Sequence, residues 1–444
     1  MATPRATTYP AASSDGVFAG IPRPAGFAPG SVVGGSYNSS TNTWTPERDG
    51  SGVVKEASWA EVPAEKWTEV AGGNLDALTS AITAAGWDAG NLAWAGVMQA
   101  WNGFAVDTAG SRVWLVCAGG HNDSSNNGIY RFDCFKMRWT VEQQPSDRTA
   151  WSTRYLSHDG NPGGSFTACP ETGEAVPQAG LGEEAATATP IKNYYDRLLW
   201  DNRPTSRHQY ASPAYDPVGD RLIFGCRSVW VFDRASQTWT MNYRWDQAMD
   251  GADISGYYDE NTGEYLMAGN GDGLNTSRAF NLGTRTFAAW ATSWIGDPWP
   301  DVGEVRHGRE ITVWSQPHND RTASYYSKYS LDSRSATISR TQVTMDSSIA
   351  ASEFPSKDSL NTGSPPLVYI PSLNEYWTLV NLTASGMTFL ALDPTTTPWT
   401  LKRKTLAGAV PVSGSRPCRK MVFMPNINAV LLSAHESHTY VYKF

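Results

Sequence analysis

The stretch VFDRASQTWT, residues 231–240, has an apolar pair, an Asp and, six positions after the Asp, a Trp. RFDCFKMRWT at residues 131–140 and ALDPTTTPWT at residues 391–400 repeat the pattern. Each copy predicts a strand, a tight turn and a second strand, because an Asp side chain caps such a turn and a large aromatic residue packs beside the neighbouring strand. Weaker copies use Asn, Phe or Ile: GSYNSSTNTWT at Asn38, AFNLGTRTF at Asn281 and YSLDSRSATI at Asp332. Six copies at one spacing indicate a repeated structural unit.

A second pair of strands precedes most copies of this pattern. The segments that run strand, polar turn, apolar strand are AWNGFAVDTAGSRVWLVCAGG (100–120), QYASPAYDPVGDRLIFGC (209–226), SGYYDENTGEYLMAGN (255–270), LVYIPSLNEYWTLVN (367–381) and KMVFMPNINAVLLSAH (420–435). The unit is therefore a four-stranded antiparallel sheet, and the later copies recur about every 50 residues. The pattern resembles kelch-like β-propellers. We expect an all-β fold with six four-stranded blades, or seven if a degenerate blade lies between Trp139 and Arg207.

The two ends of the chain predict how the ring closes. The last repeat stops after TYVYKF without its final strand, while an isolated final unit, SYNSSTNTWT, lies near the N-terminus. We expect that N-terminal segment to complete the last blade, which removes free sheet edges. Residues 1–30 are predicted to form an extended arm, and residues 31–444 one propeller domain with an irregular insertion at about 140–206. LDALTSAITAAGW, residues 75–87, has the spacing of a short surface helix.

Composition excludes several classes of function. The formal net charge is −8 and no run of Lys or Arg is clustered, so nucleic acid is not an expected partner. No apolar stretch approaches the roughly 20 residues of a membrane helix, and MATPRATTYPAASSDG lacks the order of a signal peptide. The five cysteines have no metal-ligand spacing, and we expect free thiols, no metal and no cofactor.

His121 lies in the loop AGGHNDSSNN, residues 118–127, between two predicted strands. Loops on a rigid β scaffold often carry binding sites, so His121, Asn122 and Asp123 are predicted rim residues. Asn, Asp, Ser and Gly also form ordinary turns. His121 is therefore either a reactive group or a turn residue.

Two Arg-His pairs occur at similar places in the repeats. Arg207-His208 and Arg306-His307 each open a predicted first strand, and Arg416 has the corresponding place in the last repeat. First strands line the channel of a propeller, so we expect these residues at one mouth, where Arg forks bind carboxylate or sulfate groups. The alternative is that each Arg forms a salt bridge between neighbouring blades.

The segment WNGFAVDTAGSRVWLVCAGGHNDSSNNGIYRFD, residues 101–133, followed by SRHQYASPAYDPVGDRLIFG, residues 206–225, resembles kelch-type proteins of tailed bacteriophages and prophages. The likeness covers about 140 residues and includes a Gly-Gly-His loop and a Ser-Arg-His strand start. This chain departs from that pattern at Asn122-Asp123 and at Gly225-Cys226. The resemblance implies a virion protein made in the host cytoplasm, with other virion proteins, further copies of itself and host surface polysaccharide as partners.

The expected function is that of a structural or binding protein of a phage virion, in the tail or another appendage, which mediates assembly or attachment to a host glycan. The alternative is a polysaccharide lyase or glycosidase that acts on acidic polysaccharide at the propeller mouth. Propeller-shaped polysaccharide lyases such as the ulvan lyases use His, Tyr and Arg together. His121 or His208 as base, Tyr210 or Tyr195 as acid and Arg207 as carboxylate partner are similar to that set. A lyase needs these residues in one pocket.

Overall fold

The computed structural model describes residues 35–48, 50, 58–86, 92–99, 102–118, 126–146, 203–204, 206, 209–225, 228–243, 254–269, 276–289, 302–315, 323–332, 340–349, 365–383, 386–412 and 419–444. These residues form six β-sheets. Their helical segments are the 3-10 turns Ser58–Glu61, Leu75–Leu78 and Pro425–Ile427 and the short α-helices Thr79–Thr83 and Trp94–Gln99. No described helix is long and apolar enough to cross a membrane.

Five of the sheets are blades built from strands that follow one another along the chain. Blade 1 contains Ala105–Asp107, Arg112–Val116, Ile129–Asp133 and Arg138–Gln143. Blade 2 contains Ala214–Asp216, Arg221–Gly225, Ser228–Asp233 and Thr238–Tyr243. Blade 3 contains Ile254–Asp259, Glu264–Gly269, Thr276–Asn281 and Thr286–Ala289. Blade 4 contains Val302–His307, Glu310–Ser315, Tyr325–Ser330 and Thr341–Gln342. Blade 5 contains Leu367–Ile370, Glu375–Thr383, Gly386–Asp393 and Thr400–Lys404, and Thr344–Met345 pairs parallel on its outer edge.

The sixth sheet, called the closing sheet here, combines both ends of the described chain. Its strands in spatial order are Met421–Met424, Ala429–His435, His438–Lys443, Lys66–Val70, Thr43–Pro46 and Gly35–Asn38, and Ala407–Gly408 also pairs with Lys66–Val70. Lys66–Val70 lies antiparallel to His438–Lys443, with Trp67 opposite Tyr442. The N-terminal part of the chain therefore completes the C-terminal sheet.

The strand that closes this sheet differs from the predicted one. The hairpin of SYNSSTNTWT lies one position farther out, and its second strand runs parallel to Lys66–Val70. Trp67 in the inner strand is 1% exposed and packs on Phe389 at 5.4 Å and on Tyr442 at 5.5 Å. Trp44 of the outer hairpin is buried as completely, so both strands contribute an aromatic side chain to the core.

The inner strands of neighbouring sheets contact one another around a common axis. Asn102 and Tyr210 bridge blades 1 and 2, and Ala211 and Ser255 bridge blades 2 and 3. Blades 4 and 5 also approach each other closely. A Cβ atom placed on Gly303 of blade 4 would lie only 3.0 Å from the carbonyl oxygen of Pro365, just before blade 5. The closing sheet meets blade 1 where Asn426 Nδ2 donates to the carbonyl of Ala109 at 2.5 Å.

This arrangement of small antiparallel sheets is a β-propeller. We expected six or seven four-stranded blades. The structure has five blades of consecutive strands, and its sixth sheet has seven strands because both ends of the chain contribute to it. Only residues 140–146, 203–204 and 206 of the predicted insertion are described, and the predicted arm at residues 1–30 lies outside the described residues.

The Asp or Asn of the repeated pattern caps its turn as predicted. Asp133 Oδ1 accepts hydrogen bonds from the backbone N–H groups of Phe135 at 2.9 Å and Lys136 at 3.0 Å. The side chains that accept equivalent bonds are Asn38, Asp233, Asn281 and Asp393. The aromatic residue then pairs with the residue before the cap, as Trp139 does with Phe132. Blade 5 differs, since Trp399 precedes its strand and stacks on Tyr326 of blade 4 at 3.9 Å.

The inner hairpins carry a second repeated pair, an Asp and an Arg. In blade 1, Arg112 Nη2 donates to Asp107 Oδ2 at 2.6 Å. In blade 2, Arg221 Nε donates to Asp216 Oδ2 at 2.7 Å. Each Asp also caps the hairpin turn, since Asp107 accepts from the N–H of Gly110 at 2.8 Å.

Blade 3 receives its arginine from blade 4. Its hairpin has Asp259 opposite Glu264, at the register where the first two blades have Asp opposite Arg. Arg309 of blade 4 instead donates to Asp259 Oδ1 at 2.6 Å and to Asp332 Oδ1 at 2.6 Å. Burial alone would raise the pKa of Asp259, but the hydrogen bonds from Arg309 and the Asn261 backbone lower it below its usual value.

Replacement of the turn cap should be tolerated only when an acceptor oxygen remains. Asp133→Ala removes both turn hydrogen bonds and should cost about 1 kcal/mol of unfolding free energy. Asp133→Asn keeps the Oδ1 acceptor, as Asn38 and Asn281 do in their own turns, and should stay within about 0.5 kcal/mol of the native chain. Urea unfolding at neutral pH measures both. Equal losses in the two variants would contradict this account of the turn.

Arg309→Ala should destabilise the contact between blades 3 and 4 by about 1–3 kcal/mol, because the buried Asp259 carboxylate loses its charged donor. The lowered pKa of Asp259 stabilises the native chain above the usual Asp range, and that stability disappears as the pH falls through the lowered pKa. In Arg309→Ala, the free energy of unfolding should therefore fall less between neutral and acid pH than it does in the native chain. Glu264→Arg in the same chain should restore stability, since blades 1 and 2 carry Arg at that register. Thermal unfolding across a pH series measures both variants. A double variant, Arg309→Ala with Glu264→Arg, that is no more stable than Arg309→Ala alone would contradict this expectation.

Candidate functional site

The two faces of the propeller differ in how the chain crosses them. On one face, called the turn face, lie the short turns between first and second strands and between third and fourth strands, such as residues 108–111 and 134–137. On the other, called the loop face, lie the connections between second and third strands and those from one sheet to the next. Successive antiparallel strands alternate in direction, so every connection of one kind emerges on the same face.

Five of the predicted site residues lie outside the described residues: His121, Asn122, Asp123, Arg207 and His208. Tyr195 and Arg416 also lie outside them. The segments that contain the first five leave the described parts of blades 1 and 2 on the loop face.

The described residues that flank these two segments are hydrogen bonded to each other. Asn127 Nδ2 donates to the carbonyl oxygen of Pro204 at 2.9 Å. Gln209 Nε2 donates to the carbonyl oxygen of Cys117 at 3.3 Å. All four atoms belong to buried or mostly buried parts of the chain. The bases of the His121 segment and of the Arg207-His208 segment are therefore adjacent.

Tyr210 lies between blades 1 and 2 rather than on an open rim. Its side chain is buried, its backbone pairs with Asn102, and its φ is +46°. A buried tyrosine at an interblade contact serves packing. Its proposed role as a proton donor stays a prediction.

Arg306 and His307 do not lie at the mouth where we expected them. They are the last two residues of the strand Val302–His307, so they lie toward the turn face, whereas Gln209 precedes its inner strand on the loop face. His307 ends its strand, whereas His208 comes six positions before Ala214, the first residue of its strand, in the sequence. A recurring dipeptide did not mark equivalent positions, because the hydrogen-bond register of a strand is set by its neighbours.

Arg306 is engaged in contacts with blade 3 and its own turn. Its Nη2 donates to both carboxylate oxygens of Glu260, at 2.7 and 2.8 Å, and its Nε donates to the carbonyl of Gly308 at 2.8 Å. Its Nη1 donates to the carbonyl of Tyr258. These are the contacts of the interblade salt bridge that the sequence left as the alternative to anion binding.

His307 is exposed and packs its ring on Tyr369, with the ring centroids 4.2 Å apart. Desolvation by this packing lowers the pKa of His307 below its usual value, with Lys328 adding to the effect and Glu310 opposing it. The lowered pKa favours the neutral imidazole at neutral pH.

The arginine that reaches the propeller axis is Arg419, just before the first strand of the closing sheet. Its Nη1 donates to the carbonyl oxygens of Gly256 at 2.8 Å and Pro213 at 3.2 Å. Its Nη2 donates to Glu304 Oε1 at 2.8 Å. One side chain of the closing sheet therefore joins blades 2, 3 and 4 across the axis.

The surroundings keep the axial pair charged. The side chains of Arg419 and Glu304 are 12% and 3% exposed, and the guanidinium lies 4.2 Å above the ring of Tyr257. Burial alone would lower the pKa of Arg419, but Tyr257 and Glu304 raise it above its usual value. Burial raises the pKa of Tyr257 well above its usual range, although Arg419 opposes that rise. The site therefore holds an ion pair beside a phenol that stays protonated, which is suited to holding blades together and not to proton transfer.

Two features of the sequence mark this cluster. Glu304 is a charged residue in the first strand of blade 4, and Arg419 is followed by Lys420, which is buried. Buried charges of this kind need partners. Which partners they have depends on residues more than 100 positions away along the chain.

The described residues contain no group of three or more His, Cys, Asp or Glu side chains placed to hold a metal ion. Cys117 and Cys134 are buried free thiols, and the other three cysteines lie outside the described residues.

No protein-family model matches the chain, and no curated protein matches it. Among solved structures, it is similar to TolB from Acinetobacter baumannii, with 8% identity and a TM-score of 0.37 over 70% of this chain and 55% of TolB. It is similar to the WD40 repeats of RRP9, with 9% identity and a TM-score of 0.37 over 78% of this chain and 94% of that one. It is also similar to YCF48 bound to D1 peptide, with 10% identity, a TM-score of 0.36, and the same two shares of the chains. The chain spans little more than half of TolB, and the propeller assignment rests on the sheet topology described above.

Arg419→Met should destabilise the protein by about 3–5 kcal/mol, because Glu304 is left charged and buried without its partner. The double variant Arg419→Met, Glu304→Gln should recover part of that loss, since no uncompensated charge remains. Arg419→Lys keeps the charge but loses the planar fork that joins two carbonyls and a carboxylate. Its free energy of unfolding should therefore lie between those of the native chain and Arg419→Met. Thermal and urea unfolding check the order. Arg419→Met as stable as the native chain would show that the axial pair does not hold the ring.

Proposed function

We propose that this chain is a non-catalytic, kelch-type β-propeller of a phage virion, in the tail or another appendage, where it mediates assembly or attachment to a host surface glycan. The observation that carries the proposal is the axial arginine. Arg419 donates to two carbonyls and to Glu304, so its fork is engaged within the protein. A propeller closed at its axis in this way is a rigid support for binding surfaces on its faces.

The virion assignment is supported by the resemblance of residues 101–133 and 206–225 to phage-encoded kelch-type proteins. In this proposal the closing sheet is the sixth blade, and copies of the chain assemble with other virion proteins. Host surface polysaccharide is the external partner. The Asn122 and Asp123 side chains on the loop-face segment are the groups that would bind its hydroxyls, because amide and carboxylate oxygens accept hydrogen bonds readily.

The test joins localisation with binding. An antibody raised against the purified chain should label particles at the tail or an appendage in electron micrographs. The chain should also bind host cells and lose that binding when the surface polysaccharide is removed enzymatically.

Asn122→Ala with Asp123→Ala should weaken cell binding by roughly tenfold or more, the effect of losing about 1–2 kcal/mol of hydrogen bonds. Val218→Ser is the matched control, because Val218 is 74% exposed on the turn face. Unlabelled particles would contradict the virion role. If the Asn122→Ala, Asp123→Ala variant binds cells as tightly as Val218→Ser, the glycan does not bind through Asn122 and Asp123.

A second function, a polysaccharide lyase, is favoured by one observation. The bonds from Asn127 to Pro204 and from Gln209 to Cys117 bring together the bases of the segments that carry His121 and Arg207-His208. A lyase would use one His to remove a proton beside a uronate carboxylate while Arg207 neutralises that carboxylate. Incubation with acidic polysaccharides should then produce the ultraviolet absorbance of an unsaturated uronate. His121→Ala and His208→Ala, tested separately, would identify the base. A chain that binds polysaccharide without producing that absorbance is a binding protein.

A further inference from the structure

The turn His435–His438 of the closing sheet is where the C-terminal hairpin meets the N-terminal segment. The carbonyl of Glu436 accepts hydrogen bonds from the N–H groups of Leu75 at 2.8 Å and Asp76 at 3.2 Å. Ser437 Oγ donates to Asp76 Oδ2 at 2.7 Å. Gln99 Nε2 donates to Glu436 Oε2 at 2.6 Å. One turn thus holds the 3-10 turn Leu75–Leu78 and the helix Trp94–Gln99 against the last hairpin of the propeller.

Both histidines of this turn take part in the contact. His438 Nδ1 lies 2.7 Å from Glu69 Oε1 on the closing strand Lys66–Val70. His435 Nδ1 accepts the backbone N–H of Ser437 at 3.2 Å. The two rings face each other across the hairpin with centroids 4.9 Å apart.

Protonation changes what His435 can do. A neutral imidazole can accept a hydrogen bond at Nδ1, whereas an imidazolium has a proton on both nitrogens and only donates. A proton on His435 Nδ1 therefore breaks the hydrogen bond from Ser437. The Nδ1–H of His435 and the backbone N–H of Ser437 then point at each other and repel.

We propose that the His435–His438 turn is an acid-sensitive latch that holds the described parts of the N-terminal segment, residues 66–86 and 92–99, onto the C-terminal hairpin. The latch is shut while His435 is neutral and accepts the Ser437 N–H, and it loosens when His435 takes up a proton. This property concerns the folded chain itself and goes beyond the proposed binding function.

The charged groups around His435 do not cancel this effect. Glu436 Oε2, 3.6 Å from His435 Nδ1, already accepts from Gln99. Asp76 accepts a hydrogen bond from Ser437, and Glu69 pairs with His438. The ring of Tyr440 stacks on the ring of His438, with the centroids 6.0 Å apart. Glu436 can attract a protonated His435 while it still accepts from Gln99, because a carboxylate oxygen has more than one lone pair, but this attraction does not restore the bond from Ser437 to His435.

The direction of the pH effect follows from burial. Desolvation lowers the pKa of His435 below its usual value and His438 lowers it further, while Glu436 and Asp76 oppose the shift. A His with a lower pKa in the folded than in the unfolded chain stabilises the fold above its ordinary pKa of about 6.5. That stability is lost as the pH falls below this value toward the lowered pKa.

Hydrogen–deuterium exchange of the full chain tests the latch locally. Peptides covering residues 66–78 and 429–443 should exchange several-fold faster at about pH 5 than at about pH 7.5, after correction for the intrinsic rates, while a blade 2 peptide covering residues 214–225 should not. His435→Asn removes the titration but keeps an oxygen that can accept the N–H two residues on, as Asn38 does for Ser40. This variant should abolish the acid effect without loss of protection at about pH 7.5.

The matched control is His307→Asn, which removes a different histidine with a lowered pKa on the turn face. The control should keep the acid-induced exchange of the native chain. Equal acid-induced exchange in the native chain and His435→Asn would overturn the proposal, and so would loss of the effect in His307→Asn. Faster exchange in all blades at about pH 5 would show global unfolding instead of a latch. Each outcome is independent of whether the chain binds a glycan or degrades one.

Discussion

The structure depends on one pairing, that of the strand Lys66–Val70 with the C-terminal strand His438–Lys443. Every blade of a propeller buries its faces against two neighbours, so a ring left open would expose two apolar faces. This pairing joins strands about 370 residues apart along the chain. Trp67 lies in it, buried against Phe389 of blade 5 and Tyr442 of the closing sheet. The N-terminal strand therefore adds a large aromatic side chain to the core at the point where the ring closes.

Polar side chains reinforce the closed ring at two levels. On the turn face, the ion pairs of Arg306 with Glu260 and of Arg309 with Asp259 link blade 4 to blade 3. At the axis, Arg419 reaches three blades at once, which only a long side chain with a planar fork of donors can do. Of the three arginines that the sequence suggested for anion binding, Arg306 is the one that the structure describes, and it links blade 4 to blade 3.

The loop face is where we propose that the function lies. Its described part joins the bases of the two segments that carry His121 and Arg207-His208, through the side chains of Asn127 and Gln209. It also carries the His435–His438 turn, at which the two ends of the chain meet. The turn face, by contrast, consists of short capped turns whose charged groups are paired with one another. A partner that binds the loop face would therefore contact the part of the molecule on which closure of the ring depends.

The sequence by itself determined the repeated unit, its turns and the all-β class. These features are local: the Asx cap of Asp133 reaches only two and three residues along the chain, so its chemistry is legible in a ten-residue window. Only the tertiary structure decided which strand closes the ring, which blade supplies the arginine for Asp259, and which arginine reaches the axis. Arg306 and Arg207 looked equivalent because each precedes a His, yet register in a sheet is fixed by neighbouring strands and not by dipeptides. Arg419 meets the carbonyl of Pro213, 206 residues away along the chain. A contact of that kind exists only after the blades have closed around a common axis, because no local pattern brings its two partners together.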